Sequence, residues 1–220
     1  MGKAWELVRA GCFEDACAAA DEEYAATHSL LPLRNKLCAL LSLRRYEDSI
    51  ALSNRILELD GRQSQTDYLF LGTGLWLSGK HKEATAAWSS GNDTKYADAA
   101  GGVEAPLMLL YAAIQLGRND LQEQALRRLQ TLATGTPAKN WPGPLAKFVC
   151  DQITEREALT AVSKIELLRE KQMCQVMFCI GMIKLRGNDR RGFLEAMRQA
   201  CSLGGACRSK CEFYLALDAA

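Results

Sequence analysis

The sequence predicts an all-α fold in which about six helical hairpins stack in a row and a C-terminal helix caps the end. Three observations predict it. Short turns recur at Gly11, Arg44, Gly79, Gly117, Gln152 and Asn188, at intervals of 33, 35, 38, 35 and 36 residues. That is the spacing of a stacked helix-turn-helix array, in which each repeat buries its apolar face on its neighbour. Leu and Ala dominate, Pro is scarce at 5 of 220 residues, and β-branched residues are rarely consecutive, all of which favours helix. A period running from end to end argues for one elongated domain, 1–220, with subdivisions 1–91 and 104–220 joined by a glycine-containing connector.

The first repeat pairs a helix from Lys3 to Ala10 with one from Phe13 to Thr27, whose first turn carries Glu14 and Asp15, where the helix dipole favours acids. The second runs from Pro32 to Leu59 and turns at Arg44-Arg45, with Tyr46 and Ile50 packing inward. The third spans Asp67 to Ser90. A polar stretch from Asn92 to Val103 then reads as a flexible joint, because Gly101-Gly102 breaks any helix continuing from Tyr96. Repeat four covers Glu104 to Ala133 and turns at Gly117-Arg118-Asn119-Asp120, where Asn and Asp suit a tight turn and a cap. Residues Gly135 to Pro144 are too rich in Pro and Gly for helix. The fifth pair is degenerate: Pro144 to Cys150, a turn at Asp151-Gln152, and a helix from Glu155 to about Arg169 capped by Thr154. The sixth runs from Met173 to Ser202 and turns at Gly187-Asn188-Asp189. The last helix, Cys207 to Asp218, is expected to close the stack as a cap, since a terminal repeat otherwise exposes its apolar face.

The third repeat carries the pattern Leu71-Gly72-x-x-Leu75-x-x-x-Gly79-x-x-x-x-Ala84-x-x-x-Trp88. It resembles the tetratricopeptide repeat (TPR), with a small residue where two helices touch, glycine in the turn, alanine on the second helix and an aromatic one turn later. The resemblance implies a right-handed α-α superhelix and a protein-binding role. A second likeness covers Trp141 to Leu217. Trp141-Pro142, Lys147-Phe148-x-Cys150, Ile153-Thr154 followed by Leu159, Phe178-Cys-Ile-Gly-Met182 and Glu212-Phe-Tyr-Leu-Ala-Leu217 look like the C-terminal half of bacterial NlpI-type TPR proteins. That implies a bacterial scaffold; the lipid-anchoring cysteine of those proteins has no counterpart here, so a membrane tether is not carried over.

Composition narrows the chemistry. The formal charge is +1, with 27 basic and 26 acidic residues, so a polyelectrolyte partner is not implied. Basic pairs at Arg44-Arg45, Arg127-Arg128 and Arg190-Arg191 fall in turns or on second helices and make no stripe of the kind nucleic acid requires. The longest apolar runs, Leu69 to Leu77 and Leu107 to Leu116, are too short for a membrane span, and Met1-Gly-Lys-Ala-Trp-Glu6 offers neither a secretory core nor a myristoylation signal. A cytoplasmic protein is expected. Nine cysteines in a reducing compartment read as small buried hydrophobes. Cys201, Cys207 and Cys211 are the exception, since Cys207 and Cys211 share a helix face and could form a thiol-based redox sensor; no Cys-x-x-Cys pair or nearby His completes a zinc site. His28 at a helix end and His81 in a turn read as solvated, and Asp21, Glu22 and Glu23 spread around a helix. No Walker loop, nucleophile elbow, dinucleotide fingerprint or HExxH motif occurs. No enzyme activity, cofactor or metal is expected.

In TPR folds the first helix of each pair lines a concave groove. Carrying the register of repeat three along the chain places Trp5, Arg9, Arg34, Cys38, Leu41, Leu69, Thr73, Trp76, Leu107, Tyr111 and Gln115 on that face. Trp, Tyr and Arg dominate interface energetics, which makes these residues the expected partner-binding groove. The lysine and asparagine clamp of chaperone-tail binders is absent from the equivalent positions. The expected function is a non-enzymatic scaffold for a protein or peptide: an antagonist or immunity-type protein holding one cognate polypeptide, such as a secreted toxin, or else an adaptor or secretion chaperone for extended peptides. The exposed edge of repeat one also suggests a homodimer.

Overall fold

The structure is a computed structural model and describes residues 2–220. The described residues form thirteen α-helices and three short 3-10 turns, with no strand. The helices are α1 (Lys3–Ala10), α2 (Phe13–Thr27), α3 (Leu30–Ser42), α4 (Tyr46–Leu59), α5 (Gln65–Leu77), α6 (His81–Ser90), α7 (Glu104–Leu116), α8 (Asn119–Leu132), α9 (Gly143–Val149), α10 (Glu155–Thr160), α11 (Glu166–Arg186), α12 (Arg190–Ser202) and α13 (Cys211–Ala219). Helices adjacent in sequence pack on one another, and α1, α3, α5 and α7 also touch in series, with α11 joining the row through α7 and α9.

One local device builds every hairpin. Gly11, Arg44, Gly79, Gly117, Asp151 and Asn188 all adopt positive φ, between 58° and 86°. In each case the next residue's N–H donates to the carbonyl five residues back: Cys12 to Leu7, Arg45 to Leu40, Lys80 to Leu75, Arg118 to Ala113, Gln152 to Lys147 and Asp189 to Lys184, at 2.8–2.9 Å. This left-handed C-terminal motif satisfies carbonyls that the ending helix leaves free. Five of the six turns lie at the expected residue, and the fifth moves by one, to Asp151.

The third repeat shows why its small residue and aromatic are paired. A Cβ on Gly72 would overlap the indole of Trp88. The bare backbone lets that ring lie flat against α5 and donate from Nε1 to the Leu69 carbonyl at 3.2 Å, fully buried.

Three expectations change. The connector Asn92 to Val103 is tied down: Tyr96 exchanges backbone bonds with Gln63 and Gln65, and Asp98 accepts from the amides of Ala100, Gly102 and Glu104 at 2.9–3.0 Å. Those bonds replace a hinge with a cap on α7. The helix expected from Glu155 to Arg169 stops at Thr160, after a capping box between Thr154 and Glu157. Ser163 breaks it, its hydroxyl accepting from Ile165 N while its own amide donates to Gln172 Oε1. Residues 166–169 instead open α11, which begins seven residues before the expected Met173.

Candidate functional site

The C-terminal segment determines what the helix row can present. After α12 the chain makes a 3-10 turn over Gly205–Ser209 and then α13, so the last helix begins at Cys211 and not at the expected Cys207. The turn packs on α1, α3 and α11, while α13 packs on α5, α11 and α12. Gly205 lies so close to the Arg9 carbonyl that a side chain would overlap it. Arg208 donates to the Arg9 and Val8 carbonyls at the end of α1, at 2.9 and 3.3 Å, and its guanidinium also sits over Phe13 and Phe213. The Tyr214 hydroxyl lies 2.9 Å from the Cys38 carbonyl and 2.7 Å from that of Arg208. The end of the chain thus reaches back to its beginning.

This arrangement corrects the expected groove. Trp5, Cys38, Leu41, Leu69, Thr73, Trp76, Leu107 and Tyr111 are all buried, and Arg9, Arg34 and Gln115 are half-buried. Their row faces other helices and the C-terminal segment rather than solvent. Arg34 spends its fork on the fully buried Asp67, at 2.7 and 2.8 Å, and so joins α3 to α5. Tyr111 packs on Phe178 of α11. The edge of repeat one, where self-association was expected, carries Gly205 and Arg208 on the end of α1.

Where α7, α11 and α13 meet, the core is charged. Gln175, fully buried, donates from Nε2 to both Glu104 Oε1 and Glu212 Oε1 at 2.7 Å and accepts from the Trp141 indole at 2.8 Å. The Lys210 ammonium lies 2.6 Å from Glu104 Oε1. Burial alone would raise the Glu104 carboxyl, but Lys210 outweighs it and holds that group below its usual range. Glu212 is less well compensated: burial first, and then the Glu104 charge, push it up to about 7. Burial works against the Lys210 charge, and the two carboxylates more than offset it. A cavity of about 50 Å³ adjoins Glu104, Lys210 and Glu212. It has room for a water or two and none for a substrate, so the network fixes α13 in place. Sequence reading missed all four residues, although a Glu opening the apolar α7 and another inside Cys211–Leu217 were visible signals.

Two clefts open beside the covered row. One, of about 310 Å³, is lined by Trp76, His81, Tyr111, Gln115, Arg190 and Asp218, among others. It keeps three of the expected groove residues at its floor and wall, with His81 stacked on Trp76 at 4.3 Å. The other, of about 240 Å³, is lined by Gly2, Trp5, Leu31, Asn35, Lys171 and Ser209. Exposed His81 and His28 fit the solvated reading.

The cysteines separate. Cys207 bonds with Cys174 of α11 and with the Glu170 carbonyl, Cys211 lies beside Thr73, and all three thiols are buried; Cys201 is half-buried. The Cys174 hydrogen bond lowers the Cys207 pKa. Cys207 lies in the 3-10 turn and Cys211 at the start of α13, so the helix face they were expected to share does not form. Among the described residues no group of three or more His, Cys, Asp or Glu side chains is placed to hold a metal ion, and no helix is long and apolar enough to cross a membrane. No family model matches the chain, and no curated protein matches it.

Proposed function

We propose that this chain is a TPR-like, right-handed helical scaffold without enzymatic activity, an antagonist or immunity-type protein of bacterial, cytoplasmic origin that sequesters one cognate polypeptide. The TPR-like reading is supported by the six matching left-handed turns and by the seating of Trp88 on Gly72. The choice of one cognate partner rests on a single observation, the covering of the first-helix row by Gly205–Ala219. An adaptor for extended peptides needs that row open along its length. A body closed on itself offers pre-formed clefts of fixed shape, which favour a matched surface, because little ordering cost is left to the moment of binding.

Affinity purification of the tagged protein from its native cells tests this reading. One polypeptide recovered near 1:1 is the expected result; many unrelated partners at low stoichiometry would overturn it.

A further inference from the structure

The cleft between the starts of α1, α3 and α11 holds a cation without a counter-charge. Lys171 places its ammonium 5.1 Å from the centre of the Trp5 ring and takes part in no ion pair with a described residue. The largest charge effects on it come from Lys210, the thiols Cys38 and Cys207, and Arg9, while the carboxylate at the rim of the cleft, Glu23 beside Gly2, accepts from the Ala4 amide. Lys210 is already engaged by Glu104. Burial first, and then the Lys210 charge, depress the Lys171 pKa, the mark of an ammonium short of compensation. Two further donors lie nearby. Arg9 Nε is buried without a partner. Asn35 is 9% exposed, lines the cleft, and its amide bonds to no described residue. The walls are apolar: the Trp5 ring and Leu31, the latter 59% exposed.

We propose that this cleft is a recognition site for a carboxylate side chain, Asp or Glu, carried next to an apolar residue on a partner polypeptide. The carboxylate accepts from the Lys171 ammonium and the Asn35 amide while the apolar neighbour covers Leu31 and the edge of Trp5. Lys171, Asn35 and Ser209 set polar groups beside the apolar Trp5 and Leu31 in a cleft of about 240 Å³, which fits a carboxylate carried next to an apolar side chain. The assignment deepens the scaffold reading and rests on it for the nature of the partner.

The test uses two probes, acetyl-Leu-Glu-amide and acetyl-Leu-Gln-amide, titrated into the ¹⁵N-labelled full chain, with the Trp5 indole and Asn35 side-chain signals as reporters. The acidic probe is expected to bind at least about tenfold more tightly, the range of a charge-assisted hydrogen bond. Lys171→Met keeps the apolar stem over Trp5 and should erase that preference. Asn35→Asp supplies the missing carboxylate in cis and should block the acidic probe, which keeps the proposal testable where Lys171→Met fails to fold. Equal binding of both probes, a preference untouched by either variant, or shifts mapping elsewhere would overturn it, as would octanoate displacing the peptide at lower concentration. A cognate partner captured equally well by Lys171→Met protein would remove the cleft from the account and leave the scaffold standing.

Discussion

Glu212 makes the stability of this protein depend on pH in a way one substitution can isolate. Its carboxyl is raised from an ordinary 4.5 to about 7 by burial and by Glu104 of α7, with Lys210 and Gln175 of α11 compensating only in part. A raised folded-state pKa means that the folded chain prefers the neutral form. The contribution is therefore fully present below pH 4.5 and lost as pH rises through 7. Between pH 5 and pH 8.5 the linkage relation gives a loss of about 2.5 kcal/mol. Glu104 acts in the opposite sense, its depressed carboxyl costing stability only as the pH falls below its usual range, outside this window. Glu212→Gln keeps an oxygen for Gln175 and cannot ionise. Urea unfolding of both proteins at pH 5, 6, 7 and 8.5 should show the wild type losing about 2.5 kcal/mol more than the variant across the range. Equal pH slopes in the two proteins would refute the account of Glu212 as a carboxyl held near neutrality by its surroundings.

The turns, the Gly72 contact and the thiols give three further expectations. Arg44 holds a left-handed conformation that costs a side-chain-bearing residue about 1 kcal/mol, so Arg44→Gly should raise stability by up to that amount and Gly79→Ala lower it similarly, both read by thermal unfolding. Because the space around Gly79 is empty, a loss far above 1 kcal/mol there would contradict a purely backbone cause. Gly72→Val should cost at least about 2 kcal/mol by driving the Trp88 indole off the Leu69 carbonyl, with a matching change in near-ultraviolet circular dichroism. Under native conditions a maleimide should label exposed Cys12 first, then half-buried Cys150 and Cys201, and leave Cys174, Cys179, Cys207 and Cys211 untouched; early modification of Cys207, followed by mass spectrometry, would reopen the thiol-sensor reading.

The hairpins were legible because their turns are local. A residue able to take positive φ, followed by five-back hydrogen bonding, needs no tertiary context, and the spacing of those residues alone placed five of six turns. Helix ends set by side-chain chemistry were legible in part: Thr154 as a cap was readable, whereas the break at Ser163 depends on Gln172, nine residues on. The groove was misread for a different reason. Its register was carried along the chain from repeat three, but which face of a row meets solvent is decided by what packs on it from elsewhere in the chain. A signal was present nonetheless. The runs Leu69 to Leu77 and Leu107 to Leu116 are apolar on every side of their helices, and a helix apolar all round is covered all round. Together with Glu212 inside an otherwise apolar last helix, they pointed to a partner for the row within the same chain.

That internal partner changes what kind of object the repeat array is. In an open solenoid each repeat touches only its neighbours, and stability is a sum of nearest-neighbour terms. Here Arg208 bonds to carbonyls 199 and 200 residues away, and Tyr214 to one 176 residues away. Such contacts join the first repeat to the last, so neither end can fray without exposing the buried row between them. The same closure leaves Lys171 of α11 stranded over Trp5 of α1, a juxtaposition that no stacking of neighbouring repeats would create. Lys171 and the unpartnered Arg9 Nε thus place unsatisfied chemistry at the seam where the two ends meet. A partner that completes that chemistry binds both ends at once, and by binding only the closed form it stabilises the closure as well.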